Sequence, residues 1–382
     1  MVRLSGWWFL GLLALCWATA AAAEPGRLQR LASLDPSAVT VSGLSSGAFF
    51  AHQMHIAHSG LIAGAGLVAG GPYACAEPAD EPWWVGLHPY GRTITAVGVC
   101  TRVGRSTVEA WAGWWGPLPA APGVEHSVMA IDTARAEGFI DDPERLADDR
   151  VWLFSGTLDT VVPSTTAAVL AELYRRLGVT GERLVVVDDV PAGHGLPVES
   201  FDGETRFPKR GCAEHAPPFI IDCDLDGPGR MLRHLHPDGF RDAPGEPQRE
   251  RLRDFDQREF FDADDRSVSL ADTGYVYVPS ACADGATPCR LHVAFHGCAQ
   301  GVEAVDDDFV WDGGYNRWAE ANAIVVLYPQ AVAWSPAWDA FGWGGNPRGC
   351  WDWWGYTGEA YAGRDGVQMV AVRGMIERLL AE

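Results

Sequence analysis

Gly43-Leu44-Ser45-Ser46-Gly47 has the pattern G-x-S-x-G, and it lies between an extended run at 39–41 and an apolar segment at 48–57 that favours a helix. A strand, a tight turn and a helix in this order are typical of a nucleophile elbow, in which a strained turn pushes a serine Oγ toward the substrate. Glycines beside the serine allow such a turn because they carry no Cβ atom. The sequence therefore predicts Ser45 as a nucleophile.

Short apolar strands alternate with helical segments on both sides of this turn. We predict strands at 39–41, 62–68, 151–155, 183–187, 275–278, 291–295 and 324–328, and helices at 48–57, 165–177, 231–236, 315–322 and 367–380. This alternation indicates the α/β class, with a mostly parallel central sheet covered by helices on both faces.

The predicted strands and helices fall into two blocks, one before and one after the segment 199–272. This segment is rich in proline, glycine and charged residues. It could link two domains. We favour a surface excursion within a single domain over 24–382, because the second block lacks a nucleophile and the first lacks a loop that could bind an oxyanion. A chain of this length can form one large domain.

The first 23 residues predict export. Arg3 precedes an apolar run at 4–19, and four alanines end at Ala23. This pattern is typical of a signal peptide cleaved after Ala23, and the run is too short for a membrane span of about 20 residues. We expect an extracellular or periplasmic protein with no membrane span.

Eight cysteines remain after the predicted cleavage, and an even number in an exported chain indicates disulfides. Pairing each cysteine with its neighbour gives Cys75–Cys100, Cys212–Cys223, Cys282–Cys289 and Cys298–Cys350, although the sequence does not fix the connectivity. No C-x-x-C pair or Cys/His cluster is present, so zinc is not predicted.

The charge balance limits the possible partners. The chain has 29 Lys and Arg residues against 50 Asp and Glu residues, a net charge of −21. Such a charge repels phosphate backbones and anionic membranes, so nucleic acid is not an expected partner. A neutral substrate fits better, and the oligomeric state stays open.

A nucleophilic serine needs a histidine base and a carboxylate that orients it. Asp159 follows the predicted strand 151–155, and His194 follows the next strand between two glycines. Each alone could be a turn aspartate or a solvated loop histidine. The order Ser45, Asp159, His194 is that of an α/β-hydrolase. Asp188 and Asp189 are rival carboxylates, but they lie too few residues before His194 to approach its ring easily.

An oxyanion hole needs two backbone N–H donors, each worth about 3 kcal/mol in the transition state. In this fold one is the amide after the nucleophile, here Ser46, and the other comes from an H-G loop after an earlier strand. The H-G loop here is His296-Gly297-Cys298, which comes after the triad. A circularly permuted chain explains this order, with Cys298 supplying the second amide and a Cys298–Cys350 bridge holding the loop.

Taken together, these motifs resemble the circularly permuted polyhydroxybutyrate depolymerases over nearly the whole mature chain. The resemblance rests on Gly43-Leu44-Ser45-Ser46-Gly47-Ala48, Ser155-Gly156-Thr157-Leu158-Asp159 with Val162-Pro163, Gly193-His194-Gly195, Ala271-Asp272-Thr273-Gly274-Tyr275-Val276-Tyr277-Val278-Pro279, His296-Gly297-Cys298 and Cys350-Trp351-Asp352-Trp353-Trp354-Gly355-Tyr356. It implies the same triad and oxyanion amides, a polyester of short hydroxyalkanoates as substrate, and no cofactor. No separate polymer-binding module is visible, which puts attack on highly crystalline polymer in doubt.

Aromatic residues are candidates for the substrate wall. We predict Trp351, Trp353, Trp354, Tyr356 and His296 as substrate-binding residues, with His296 acting more as an orienting group in the oxyanion loop than as the base. The tryptophans at 83, 84, 111, 114 and 115 could form a second patch. His52, His55 and His58 recur along one predicted helix, and we interpret them as solvated histidines rather than metal ligands.

The sequence thus predicts an exported serine esterase that cleaves poly(3-hydroxybutyrate), related short-chain polyhydroxyalkanoates or their oligomers through an acyl-enzyme. Two alternatives stay open. One is a carboxylesterase for small or plant-wall esters, and the other is a catalytically inactive protein that binds polyester through its tryptophans.

Overall fold

The structure is a computed structural model that describes residues 25–77, 90–103, 105–106, 108–110, 121–199, 208, 210–337 and 344–381. The predicted signal peptide lies outside the described residues. Within them, no helix combines the length and the apolar character that crossing a membrane requires.

Two sheets are built from the strands of the described chain. The strands are β1 Leu34–Leu44, β2 Gly64–Val68, β3 Arg150–Phe154, β4 Leu184–Val187, β5 Leu196–Val198, β6 Arg210–Gly211, β7 Ile220–Asp222, β8 Leu252–Asp256, β9 Thr273–Tyr277, β10 Cys289–Phe295 and β11 Ile324–Tyr328. Eight form one sheet in the order β4-β3-β2-β1-β10-β11-β9-β8, and the others form a small sheet in the order β5-β7-β6. In the large sheet β9 alone runs in the opposite direction to the other seven strands.

Helices cover both faces of the large sheet, so the predicted fold class is confirmed. The α-helices are α1 Ser46–Ala57, α2 Gly91–Thr95, α3 Val124–Ala136, α4 Ser164–Arg176, α5 Gly227–Leu235, α6 Val302–Val305, α7 Asp308–Asp312, α8 Tyr315–Asn322 and α9 Val367–Leu380. The buried side chains of α1, α3, α4 and α9 contribute to one core cluster, and those of α5 and α8 contribute to the other.

The central strand β1 alternates between these two cores. Val39 and Val41 pack into the first cluster with no exposed surface. Thr40 and Ser42 point the other way, and their hydroxyls lie 2.8 Å from the two ring nitrogens of His292 on β10. Because successive side chains of a strand face opposite sides, both faces of a central parallel strand are buried. The hydrogen bonds to His292 satisfy the two hydroxyls there.

The segment 199–272 is more integrated than the predicted surface excursion. Its strand β8 forms the edge of the large sheet, and α5 packs on β2 and β3 with Met231 and Leu232 fully buried. The short apolar pattern at 231–236 predicted a helix but not its burial. The proline, glycine and charged residues in the rest of the segment favoured a surface position, although its apolar residues complete the core.

Four disulfides join the described cysteines, and they are the pairs that neighbour pairing predicts: Cys75–Cys100, Cys212–Cys223, Cys282–Cys289 and Cys298–Cys350. The last one bridges 52 positions of sequence and ties the loop after β10 to the aromatic segment near the C-terminus.

Candidate active site

Ser45 lies at the end of β1 in a strained turn with φ 55° and ψ −122°. Its N–H donates to the Val68 carbonyl at 2.9 Å, which ties the turn to β2. A Cβ atom on Gly43 would lie 2.3 Å from the Gly47 backbone, and one on Gly47 would lie 2.4 Å from the His296 carbonyl oxygen. Both glycines are therefore required by close packing, and the turn has the geometry of a nucleophile elbow.

The strand register brings the three predicted triad residues to one edge of the sheet. Leu44 pairs with Val68, Val68 with Phe154 and Phe154 with Val187, so the carboxyl ends of β1 to β4 lie side by side. Ser45 follows β1, Asp159 follows β3, and His194 follows β4. Carboxyl ends of parallel strands are where α/β proteins build their ligand sites.

His194 and Asp159 form a tightly held pair. His194 Nδ1 lies 2.8 Å from Asp159 Oδ2, and the two residues are 5% and 8% exposed. The other oxygen, Asp159 Oδ1, accepts the N–H groups of Val161 at 2.7 Å and Val162 at 2.9 Å. The carboxylate is thus fixed by its own loop while it orients the ring. His194 pairs with this carboxylate rather than with the rivals at 188 and 189.

No hydrogen bond joins the Ser45 hydroxyl to the His194 ring in the part of the chain that the structure describes. Because Nδ1 is engaged by Asp159, Nε2 is the nitrogen available to a partner. Catalytic hydrogen bonds are often long in a free enzyme and shorten when substrate binds.

The loop after β10 supplies the second predicted amide beside Ser45. A Cβ atom on Gly297 would lie 3.5 Å from Ser45 Cβ, so the loop passes directly over the elbow. Among the described residues, the N–H groups of Ser46 and Cys298 donate to no protein acceptor. The next amide, Ala299, donates to the Arg348 carbonyl at 2.6 Å, which fixes the loop. Two unused donors beside a strained serine suit an incoming oxyanion.

His296 orients this loop and does not face open space. It is fully buried, its Nδ1 lies 2.8 Å from the Gly297 carbonyl oxygen, and its Nε2 lies 3.0 Å from the Ala331 amide nitrogen. The carbonyl must accept and the amide must donate, so the ring is neutral with its proton on Nδ1. Burial lowers the pKa of His296 to about 4, which agrees with a neutral ring. His296 is therefore placed to orient the oxyanion loop and not, as predicted for a substrate-binding residue, to contact a substrate directly.

The aromatic segment divides into core and rim. Trp351 is fully buried, with its ring centroid 4.9 Å from that of Phe50, so it packs in the core rather than lining a cleft. Trp353 is 6% exposed and stacks on Phe49 at 4.1 Å. Trp354 and Tyr356 are half-buried, and their rings are 4.8 Å apart. Trp354 and Tyr356 thus keep more exposed surface than Trp351 and Trp353, and a substrate wall at these two residues stays a prediction.

The predicted second patch, at positions 83, 84, 111, 114 and 115, lies outside the described residues. His52, His55 and His58 are not solvated as expected, because α1 is surrounded on every side and each of its residues is buried. The Tyr174 hydroxyl lies 2.9 Å from His52 Nδ1 and 3.0 Å from His55 Nδ1. No group of three or more metal-ligating side chains occurs among the residues with described positions.

Two further residues support the site, and sequence reasoning missed both. The Asp352 carboxylate accepts the N–H groups of residues 354–357 and the Thr357 hydroxyl, which fixes the aromatic segment. An aspartate before a short glycine-containing turn is the signal that could have found it. Gln300 accepts the Gly297 N–H at 2.7 Å, and no local pattern marks that amide.

Comparison with known proteins gives a consistent set of relatives, although no protein-family model matches the chain. A poly(3-hydroxybutyrate) depolymerase of Delftia acidovorans is 34% identical over 349 residues, which cover 91% of this chain and 60% of that protein. A polyhydroxybutyrate depolymerase of Talaromyces funiculosus is 29% identical over 91% of both chains. This chain therefore spans about 60% of the Delftia relative's length.

Solved structures agree with these sequence relatives. The crystal structure of a PHB depolymerase from Penicillium funiculosum is 27% identical with a TM-score of 0.73, and it covers 93% of this chain and 99% of its own. A PHB depolymerase variant with a serine replaced by alanine, complexed with an R3HB trimer, is 27% identical with a TM-score of 0.72 over the same shares.

Proposed function

We propose that this chain, which belongs to the polyhydroxybutyrate depolymerase family, is an exported serine esterase. Its proposed substrates are poly(3-hydroxybutyrate), related short-chain polyhydroxyalkanoates or their oligomers. The observation that carries the proposal is the His194–Asp159 pair at the sheet edge where Ser45 lies in a strained turn. Four disulfides support an oxidising compartment outside the cytoplasm.

The proposed reaction has two halves. Ser45 Oγ attacks the ester carbonyl while His194 Nε2 takes its proton, and Asp159 stabilises the imidazolium that forms. The tetrahedral oxyanion accepts hydrogen bonds from the Ser46 and Cys298 amides. His194 then protonates the departing alcohol, which leaves an ester of Ser45. In the second half, His194 activates a water molecule that releases the hydroxyacid.

A neutral oligoester suits the surroundings of the proposed site. The chain carries a net charge of −21, which disfavours polyanionic substrates. The half-buried rings of Trp354 and Tyr356 offer apolar surface with few hydrogen-bond donors, as an ester repeat requires. The structural relative that carries an R3HB trimer supports the same substrate class.

We also propose that the chain is a circularly permuted α/β-hydrolase. In the ordinary order the oxyanion loop precedes the nucleophile, whereas here it follows β10, late in the chain but paired directly with β1. The Leu31 N–H donates to the Leu379 carbonyl at 3.0 Å, so the two ends of the described fold are adjacent. A chain joined there by a short linker and opened at the exposed stretch 242–244 should keep its fold and activity, measured by circular dichroism and ester hydrolysis.

The function is tested with the purified mature protein on three substrates: a soluble R3HB trimer, amorphous polymer and p-nitrophenyl butyrate. We expect hydrolysis of all three, and a loss of kcat of roughly 10⁴- to 10⁶-fold in Ser45→Ala with an unchanged fold. Ser155→Ala is the matched control, because this buried hydroxyl at the end of β3 has no hydrogen-bond partner.

Three outcomes would count against the proposal. Activity above a few per cent in Ser45→Ala would reject the nucleophile. Hydrolysis of the p-nitrophenyl ester alone would favour a small-ester carboxylesterase. Binding of polymer without turnover of any ester would favour an inactive polyester-binding protein.

A further inference from the structure

Gln300 connects the oxyanion loop to a distant part of the chain. Its side chain is fully buried. The side-chain oxygen accepts the Gly297 N–H at 2.7 Å, and the side-chain nitrogen donates to the Pro218 carbonyl at 2.8 Å and the Phe219 carbonyl at 3.3 Å. A single amide thus joins the loop that carries Cys298 to the segment just before β7.

The same segment holds the loop that carries His194. The Phe219 carbonyl also accepts the Leu196 N–H at 2.8 Å, two residues beyond His194. Gly193 donates its N–H to the Cys212 carbonyl at 2.7 Å. The Cys212–Cys223 disulfide closes this segment, so its two ends cannot separate.

Close packing reinforces these hydrogen bonds. A Cβ atom on Gly193 would lie 2.4 Å from the Glu214 carbonyl oxygen, and one on Gly195 would lie 2.8 Å from the Ile221 side chain. Both glycines around His194 therefore pack directly on the segment 212–223, and Gln300 donates hydrogen bonds to the same segment.

We propose that Gln300 is a positioning residue that sets the Cys298 amide at a fixed place relative to the His194 ring. The proposal rests on the proposed function. Oxyanion donors act only when they lie 2.7–3.1 Å from the developing charge, and a misplacement of about 1 Å can cost 10²-fold in rate. Gln300 holds Gly297 on one side of Cys298, while the Ala299 bond to the Arg348 carbonyl holds the other side.

Another buried glutamine makes the same kind of contacts elsewhere. Gln257 is fully buried, donates to the Ala271 carbonyl at 2.7 Å and the Gln330 carbonyl at 3.0 Å, and accepts the Gln330 N–H at 2.9 Å. Its three bonds join the turn after β8 to the segments just before β9 and just after β11. Because its burial and hydrogen-bond pattern match those of Gln300, Gln257→Met is a control for the general cost of removing such an amide.

The experiment compares Gln300→Met and Gln257→Met by kcat, KM and thermal unfolding on p-nitrophenyl butyrate and the R3HB trimer. We expect similar losses of melting temperature in both. In Gln300→Met, kcat should fall by about 10²-fold while KM changes by less than about threefold, and Gln257→Met should keep kcat near that of the wild type. Equal kcat in the two variants, or a wild-type kcat in Gln300→Met, would overturn the proposal.

Gln300→Glu adds a readout that general destabilisation would not move. A carboxylate can still accept the Gly297 N–H but cannot donate to the carbonyls of 218 and 219, whereas the protonated carboxyl can donate once. The ratio of its kcat to the wild-type kcat should therefore rise as the pH is lowered from 8 to 6, and a ratio independent of pH would contradict the role. A wild-type protein without esterase activity would instead refute the proposed function.

Discussion

Two histidine–aspartate pairs in this molecule have nearly the same contact distance and different surroundings. His194 Nδ1 lies 2.8 Å from Asp159 Oδ2 at the carboxyl edge of the sheet, and His55 Nε2 lies 3.0 Å from Asp149 Oδ2 beside α1. Both histidine side chains are buried, with 6% and 0% of their surface exposed. A short contact between imidazole and carboxylate is therefore not what distinguishes a site.

The two pairs differ in what the second ring nitrogen can do. His55 Nδ1 is bonded to the Tyr174 hydroxyl, which also bonds His52. His194 Nε2 has no protein partner among the described residues, and its loop lies at the sheet edge where Ser45 follows β1. A histidine with one nitrogen oriented and one free can move a proton, whereas a histidine with both nitrogens engaged holds a core together.

The largest expected effect is a loss of activity when the aspartate of one histidine–aspartate pair, but not of the other, is replaced. Asp159→Asn should lower kcat by about 10⁴-fold, the loss known for the equivalent change in a serine protease triad, because the imidazolium loses its stabilising charge and its tautomer. Asp149→Asn should leave kcat unchanged and lower the free energy of unfolding by about 1–3 kcal/mol. Ester hydrolysis and urea unfolding of both variants measure this contrast, which would fail if both lost activity equally.

The buried histidines beside Tyr174 should make the free energy of unfolding depend on pH. Burial lowers the pKa of His52 to about 3, while an unfolded histidine titrates near 6.5. Below pH 6.5 the unfolded state thus binds more protons, so stability falls as the pH drops from 6.5 toward 3, by up to about 1.4 kcal/mol per pH unit for this group.

His52→Gln removes that titration. The slope of unfolding free energy against pH between 6.5 and 4.5 should become shallower by about 1 kcal/mol per unit, while the pH profile of kcat stays as in the wild type. Urea unfolding at several pH values gives the slope. An unchanged slope would mean that His52 is not shielded from solvent in the folded protein. An altered activity profile would mean that the cluster around Tyr174 is coupled to the site.

A third aspartate, Asp352, tests whether the comparison extends to carboxylates without a histidine partner. Asp352 binds backbone N–H groups of the aromatic segment. Asp352→Asn should raise KM for the R3HB trimer severalfold with a smaller change in kcat, because Trp354 and Tyr356 lose their fixed position. KM for p-nitrophenyl butyrate serves as the control, and a larger loss in kcat than in KM for the trimer would place Asp352 in the chemistry instead.

Local patterns were enough to predict the strained turn at Ser45 and much of the fold. The strand and helix around Ser45 and the helix at 315–322 depend on periodicity and turn residues that the sequence displays directly. The alternation of apolar strands with helical segments predicted the α/β class, and the order of Ser45, Asp159 and His194 predicted an α/β-hydrolase. The helix Val124–Ala136 was missed, although Val124, Val128 and Ile131 follow helical spacing.

Features created by packing could not be predicted in this way. The burial of His52, His55 and Trp351 follows from elements that cover them on all sides, and nothing in a short sequence window shows that. The role of 212–223 as a support for His194 depends on contacts between residues far apart in sequence, as does the Gln300 amide. Polar residues in such places look solvated until the neighbours are known.

Reaction of the mature protein with a fluorophosphonate, followed by peptide mass spectrometry, tests the central claim most directly, since only an activated serine reacts readily. We predict a single adduct on the peptide that contains Ser45, formed at the wild-type rate in Asp149→Asn, far more slowly in Asp159→Asn and not at all in Ser45→Ala. An adduct on another residue, or equal labelling in the two aspartate variants, would contradict the account.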